Sequence, residues 1–198
     1  KNESTTETQP LDAVPVSSNL KYEIKDGMVT ITDCDEGASG KLEIPSTIEG
    51  KPVTSIGFNA FDDCKSLTSI TIGTSVTSIG DYAFSSCDSL TSVTIPDGVT
   101  SIGETAFWEC ASLKTITIGD SVTSIGEEAF YGCHSLTSIE VRAGNVNYTD
   151  VNGVLFNKEK TALLTYPKGK TGANYTIPDS VTSIGALAFW FCHKLTNI

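Results

Sequence analysis

One methionine occurs in 198 residues, and lysine and arginine together number 13 against 24 aspartates and glutamates, leaving a formal charge of −11. A phosphate backbone needs clustered cations, and none cluster here, so nucleic acid is excluded as an expected partner. The same shortage argues against an anionic membrane surface. No apolar run reaches the about 18 residues that suggest a bilayer span, so membrane insertion is not expected. A charged-then-apolar leader is also missing, and any export signal is expected to have been removed. Catalytic signatures are absent as well: there is no G-x-S-x-G, no P-loop and no dinucleotide fingerprint. There is no C-x-x-C pair, and only His134 and His193 could assist a metal site. We therefore expect no metal, no cofactor and no enzyme. Asp150-Val151-Asn152-Gly153 has the start of a calcium loop but lacks the remaining ligands and the terminal Glu.

What is present is a repeat. Val-Thr-Ser-Ile-Gly begins at Val53, Val76, Val99 and Val122, each start 23 residues after the last, and again at Val181. The full unit is L-x-x-I-x-I-x-x-x-V-x-x-I-G-x-x-A-F-x-x-C, as in Leu67 to Cys87. Self-similarity at this period is the mark of a solenoid. Leu67, Ile70 and Ile72 sit in a Thr/Ser-rich segment that ends by alternating apolar and polar residues, which predicts a strand. Gly73, Pro96, Gly119 and Pro178 end that strand. The Val-x-x-Ile-Gly stretch is expected to turn the chain. The x-x-Ala-Phe-x-x-Cys stretch is too short for a full helix and suits one helical or 3₁₀ turn. One unit cannot bury its own apolar residues, so the units must stack and place each Leu, Ile and Phe above its copy. Strands would then run about 4.8 Å apart in one parallel sheet, and about eight rungs would give a body on the order of 40 Å long.

The pattern I-G-x-x-A-F-x-x-C-x-x-L-x-x-I-x-I-P, followed over roughly Leu20 to Ile198, resembles the BspA-type leucine-rich repeats of bacterial surface proteins. The resemblance implies an α/β-type solenoid: a right-handed superhelix with a parallel sheet on one face, short helical or 3₁₀ turns opposite, and one β-hairpin insertion. It also implies an exported protein at the bacterial cell surface, with adhesion to host or microbial surfaces. The commoner leucine-rich repeat places Asn or Cys shortly after the strand to bond the turn backbone. Here Val76, Val99 and Val122 lie near that region, so Ser, Thr and backbone groups must satisfy the turn instead.

Four stretches depart from the repeat. Residues 1–19 are polar, carry two prolines and show no hydrophobic period, which predicts a linker or tether. Residues 20–52 are expected to form an N-terminal cap and first rung, because an open solenoid end exposes both core and strand edges. Regular repeats fill 53–141. The stretch 142–178 is irregular, and its runs Val154-Leu155-Phe156 and Ala162-Leu163-Leu164, flanking Asn157 to Lys160, predict a hairpin. Similar G-V-L-aromatic hairpins belong to the resemblance. The hairpin reads either as a protruding recognition element or as a structural spacer. Leu164-Thr165-Tyr166-Pro167 imitates the strand-ending Ile-x-Ile-Pro. Residues 179–198 are a last repeat that stops within a strand motif, as expected of a fragment or trimmed chain.

Six cysteines in an exported chain ordinarily suggest disulfides. Cys64, Cys87, Cys110 and Cys133 fall in one column, however, where stacked side chains run parallel and a disulfide needs a twist near ninety degrees. Free thiols packed as small core residues are expected. Two further columns are candidate contact surfaces. Thr71, Thr94, Thr117 and Glu140 point away from the core on the strand face, beside Ser69, Ser92, Thr115 and Ser138. Trp108, Tyr131 and Trp190 follow the repeat Phe, where Asp62 and Ser85 stand in earlier copies. The first column reads as β-propensity and solubility, or as a polar groove for a peptide or glycan. The second reads as packing against the neighbouring turn, or as an aromatic stripe that stacks on sugars and anchors protein interfaces. The resulting expectation is a monomeric, non-enzymatic adhesion module for a host or microbial protein, with glycan binding or a passive spacer as alternatives.

Overall fold

The computed structural model describes residues 18–198, so the expected linker lies outside the described residues except for Ser18 and Asn19. The strands in chain order begin with β1 (Leu20–Lys25), β2 (Met28–Cys34), β3 (Ser39–Ile44), β4 (Thr47–Ile48) and β5 (Lys51–Ile56). The regular repeats contribute β6 (Ser66–Ile72), β7 (Ser78–Ile79), β8 (Ser92–Thr94), β9 (Ser101–Ile102), β10 (Thr115–Ile118), β11 (Ser124–Ile125) and β12 (Ser138–Val141). The irregular stretch and the last repeat add β13 (Tyr148–Val151), β14 (Val154–Asn157), β15 (Ala162–Thr165) and β16 (Ser183–Ile184).

The architecture is a β-solenoid with parallel ladders on two sides rather than one. On the first, β8, β10 and β12 pair in parallel, and β3 pairs β6 in the same way. On the second, β5, β7, β9 and β11 pair through Ser55, Ser78, Ser101 and Ser124 and through the isoleucines beside them. The Val-x-x-Ile-Gly stretch therefore pairs as it bends, instead of merely turning. The glycine that follows is required by close approach: a Cβ on Gly126 would lie 2.3 Å from the Glu104 nitrogen. At the N-terminal end, β1 and β2 form an antiparallel hairpin, and β2 extends the second ladder by pairing β5 in parallel.

The third side corrects the expected helical or 3₁₀ turn, and with it the α/β-type class, since no helix is found among the described residues. Asn59 and Asp63 hold φ of 54° and 59°, and Tyr82 and Ser86 repeat this at 56° and 53°. A left-handed residue cannot continue a right-handed helix. Each segment is instead a chain of tight turns, as in Ala60 N to Gly57 O and Cys64 N to Phe61 O, with the left-handed residue third in each turn, as a type II turn requires. Every second amide is then free to bond the next rung: Phe61 to the Ala83 carbonyl, Phe84 to Ala106 and Phe107 to Ala129, all at 2.8 Å.

The core follows from the columns. Phe61, Phe84, Phe107 and Phe130 stack with centroids 5.0, 5.1 and 6.0 Å apart, and such pairs add about 0.5–1.5 kcal/mol to their area burial. All six cysteines are free. The column thiols have a bonding role beyond filling space: Cys87, Cys110 and Cys133 donate to the carbonyls of Phe61, Phe84 and Phe107 at 3.2, 3.1 and 3.1 Å. Thr77, Thr100 and Thr123 hydroxyls likewise donate to carbonyls of the preceding rung, as the absence of a regular Asn demanded.

An asparagine of that kind does occur once. Asn145 sits 23 residues after Val122 and is fully buried. Its amide donates to the carbonyls of Gly119 and Val122, and its oxygen accepts from the amides of Asn147 and Tyr148. It anchors the start of the irregular rung, where β13, β14 and β15 form an antiparallel meander that contains the expected hairpin. Leu164 and Thr165 do end a strand, β15, but it lies on the second-ladder side and not in the register of the Ile-x-Ile-Pro strands. Tyr166 N bonds the Ala188 carbonyl, which is the register of the repeat Phe, and its ring stacks on Phe189. Leu163, paired with Ile184, holds the repeat Ile position. Two residues thus lie between Leu163 and Tyr166, where four lie between Ile79 and Phe84. The rung is two residues short in its turn, and the buried core divides there into two clusters.

Candidate functional site

Two surfaces and one cavity carry the candidate residues. On the strand face, Thr94, Thr117 and Glu140 are in register across β8, β10 and β12, and Thr71 on β6 pairs with Glu43. Thr71, Thr94 and Glu140 are exposed and Thr117 is half-buried. The hydroxyls of the three threonines make no bond to protein among the described residues, unlike the ladder threonines. Arg142 closes the face by gripping Asp97 through Nε and a terminal nitrogen at 3.2 Å each.

The turn face concentrates charge and aromatic rings. Each of its four regular turns bears two carboxylates, as in Asp62 and Asp63 or Glu127 and Glu128, against Lys65 as their one lysine. Trp108 is half-buried and lines a cleft with Phe58, Tyr82, Asp62 and Ser85. Phe58 and Tyr82 meet edge to face at 5.9 Å, and Phe58 is 65% exposed. Sequence reasoning missed both, because neither lies in the Trp108 column and each occurs in a single copy.

Tyr131 and Trp190 form a separate group. The Trp190 indole N–H donates to the Tyr131 hydroxyl at 3.1 Å, and Trp190 packs edge to face on Phe191. The expected stripe is therefore two clusters, with no ring pair joining Trp108 to Tyr131 among the described residues. Lys168, unremarked in the sequence, places its Nζ 4.1 Å from the Tyr131 ring centre. That nitrogen is buried without a hydrogen bond. Burial pushes the Lys168 ammonium below its ordinary pKa, opposed by Cys133, Cys192, Glu109 and Glu128. Beside it a cavity of about 350 Å³ opens between the fourth turn and the last rung, where the two turn residues are missing.

The remaining candidates are structural in their contacts. Asp150 spends its carboxylate on the amides of Val141 and Gly153, which shapes its turn. His134 and His193 are exposed, and no group of three metal-binding side chains occurs among the described residues.

Comparison with known proteins supports the repeat assignment. A leucine-rich repeat protein from Eubacterium ventriosum is 29% identical, with a TM-score of 0.60 over 92% of this chain and 60% of that one. This chain thus spans less than two thirds of that relative's length. A leucine-rich repeat protein from Bacteroides capillosus is 35% identical, with a TM-score of 0.56 over 63% of this chain and 95% of that one. The Treponema pallidum leucine-rich repeat protein shares the fold at 21% identity and a TM-score of 0.54, over 93% of this chain and 91% of that one. No curated protein matches the sequence. The BspA type leucine rich repeat region matches over residues 54–171 and 168–198 in six copies. With its 23-residue period, tight-turn face and continuous Phe and Cys columns, this chain belongs to the BspA-type leucine-rich repeat family.

Proposed function

We propose that the chain is a non-enzymatic adhesion module of a bacterial cell-surface protein, acting as a monomer and binding a host or microbial protein through its turn face. The observation that carries this reading is the cleft at Trp108, where Phe58 stands mostly exposed beside Tyr82 and is flanked by Asp62. Exposed aromatic anchors set beside polar groups are the residue types that dominate protein interfaces. A rigid solenoid also holds them without an ordering cost on binding. Tyr131 and Trp190 extend the surface toward the last rung.

The free hydroxyls of Thr71, Thr94 and Thr117, with Glu140 at their end, favour a second reading in which the strand face takes a glycan. A matrix-protein binding screen and a glycan array on one sample separate the two. The first reading expects protein binding that is lost in a Trp108→Ser, Phe58→Ser variant whose thermal unfolding is unchanged. Glycan binding lost in Thr94→Val instead supports the second. Silence in both assays leaves a passive spacer and refutes adhesion.

A further inference from the structure

In the regular turns, Tyr82 N donates to the Glu104 carbonyl and Thr105 N to that of Glu127, both at 3.0 Å, just as the Phe amides bond the next rung. The rows stop at the fourth turn. The amides of Glu128 and Phe130 occupy these registers but find no acceptor among the described residues. The rung beyond lacks the two residues that would face Glu128, and both donors line the 350 Å³ cavity left behind. Across it, the Ala186 carbonyl, in register with those of Glu104 and Glu127, receives no donor. Lys168 lines the same cavity with its Nζ unbonded. The Lys168 nitrogen is buried, and a buried donor without an acceptor is uncommon in folded proteins and calls for an explanation, an unseen partner among them. Leu136, Leu155 and Leu187 supply apolar wall beside the polar Asn157 and Thr165, and the volume falls in the range of small-molecule sites.

We propose that this cavity binds a single carboxylate carried on a small apolar body. Its oxygens accept from the Glu128 and Phe130 amides and the Lys168 ammonium, while the body seats among Leu136, Leu155 and Leu187. Backbone amides beside a cation are a recurring means of holding a chain-terminal carboxylate. Glu109 and Glu128 act on the Lys168 charge and Glu127 also borders the cavity, so a doubly charged anion is disfavoured. Two sources offer this chemistry: the last residue of a partner chain, or a free N-acylated amino acid. The site is distinct from the Trp108 cleft and stands independently of the adhesion reading.

Calorimetric titration of the intact chain with N-acetyl-leucine, N-acetyl-leucine amide, and a short peptide ending in leucine as acid or amide tests this. Saturable binding of the acids, weakened about tenfold or more by amidation and by Lys168→Met, is the expected result. Ala186→Trp, which fills the cavity, should abolish it. Tighter binding of the peptide acid assigns the source to a chain terminus, and equal binding assigns it to the free acid. Equal affinity for acids and amides overturns the proposal, as does no saturation by about 10 mM, a concentration above ordinary weak affinities. Should Lys168→Met fail to fold, amide shifts in the unaltered protein decide the question. Acetyl-leucine must then move the Glu128 and Phe130 resonances, and shifts confined elsewhere refute the site.

Discussion

The indole of Trp190 reaches the hydroxyl of Tyr131 across 3.1 Å, although 59 residues separate them. That interval is not a whole number of repeats, so the bond crosses the irregular rung and ties the last turn back to the fourth.

Trp190→Phe keeps the ring and removes the donor. Because the pair is exposed, the expected loss is small, roughly 0.5–1 kcal/mol. Urea unfolding should show a lower midpoint with an unchanged slope, and an unmoved midpoint would mean the bond contributes nothing in solution.

Asn145→Val restores the residue type of the column yet should be far more damaging. The Asn side chain serves two carbonyls and two amides in a buried setting. Leaving them unpaired is expected to cost roughly 2–4 kcal/mol. Denaturation that matches wild type would show that water takes over these bonds.

Gly126→Ala tests rung spacing without changing charge or polarity. The added methyl would lie 2.3 Å from the Glu104 nitrogen, so the fourth rung must move away from the third. A loss of roughly 1–3 kcal/mol is expected, in the range of overpacked cores. A thermal midpoint equal to wild type would show that the rungs separate freely.

The column thiols predict an alkaline limit to stability. Burial holds the Cys87 thiol far above its ordinary value of 9.0. The neighbouring Cys133 thiol, together with burial, does the same for Cys110. Both groups stay protonated when folded, so their contribution is intact below pH about 9. It is lost above that pH as the unfolded thiols release protons, at up to about 1.4 kcal/mol per pH unit for each group. Stability measured from pH 8 to 10 should fall, and Cys87→Ala should flatten the decline. In the same range the native thiols should resist iodoacetamide until urea exposes them, and rapid native alkylation would contradict this burial.

The strands of the first ladder, the core columns and the hairpin were legible because their residues recur or alternate, whereas the short Ser-Ile strands of the second ladder were read as turns. Four aligned copies of Ile70, Ile72 and Phe84 leave little freedom in where the core lies. The turn face was misread because Asn59, Tyr82, Thr105 and Glu128 have no residue type in common, although all are left-handed. Backbone handedness there is enforced by inter-rung bonds, and composition does not report it. The role of Asn145 was hidden by the break that begins at Arg142, although its spacing from Val122 was available. Lys168 and the cavity arise from a shortfall of two residues, which is visible only once Leu163 and Tyr166 have been placed in register.

That shortfall also makes the body mechanically uneven. The ladder bonds run along the long axis, so a pull between the two ends loads them rung by rung instead of shearing them together. The weakest station is where the turn bonds of Glu128 and Phe130 are missing and the core is already divided. Under axial load in a single-molecule experiment, residues beyond that gap should peel away first as a small early extension. A single rupture of the whole body would contradict it. For a molecule anchored to a surface, such a station would act as a yielding link that lengthens under tension before the remaining rungs give way.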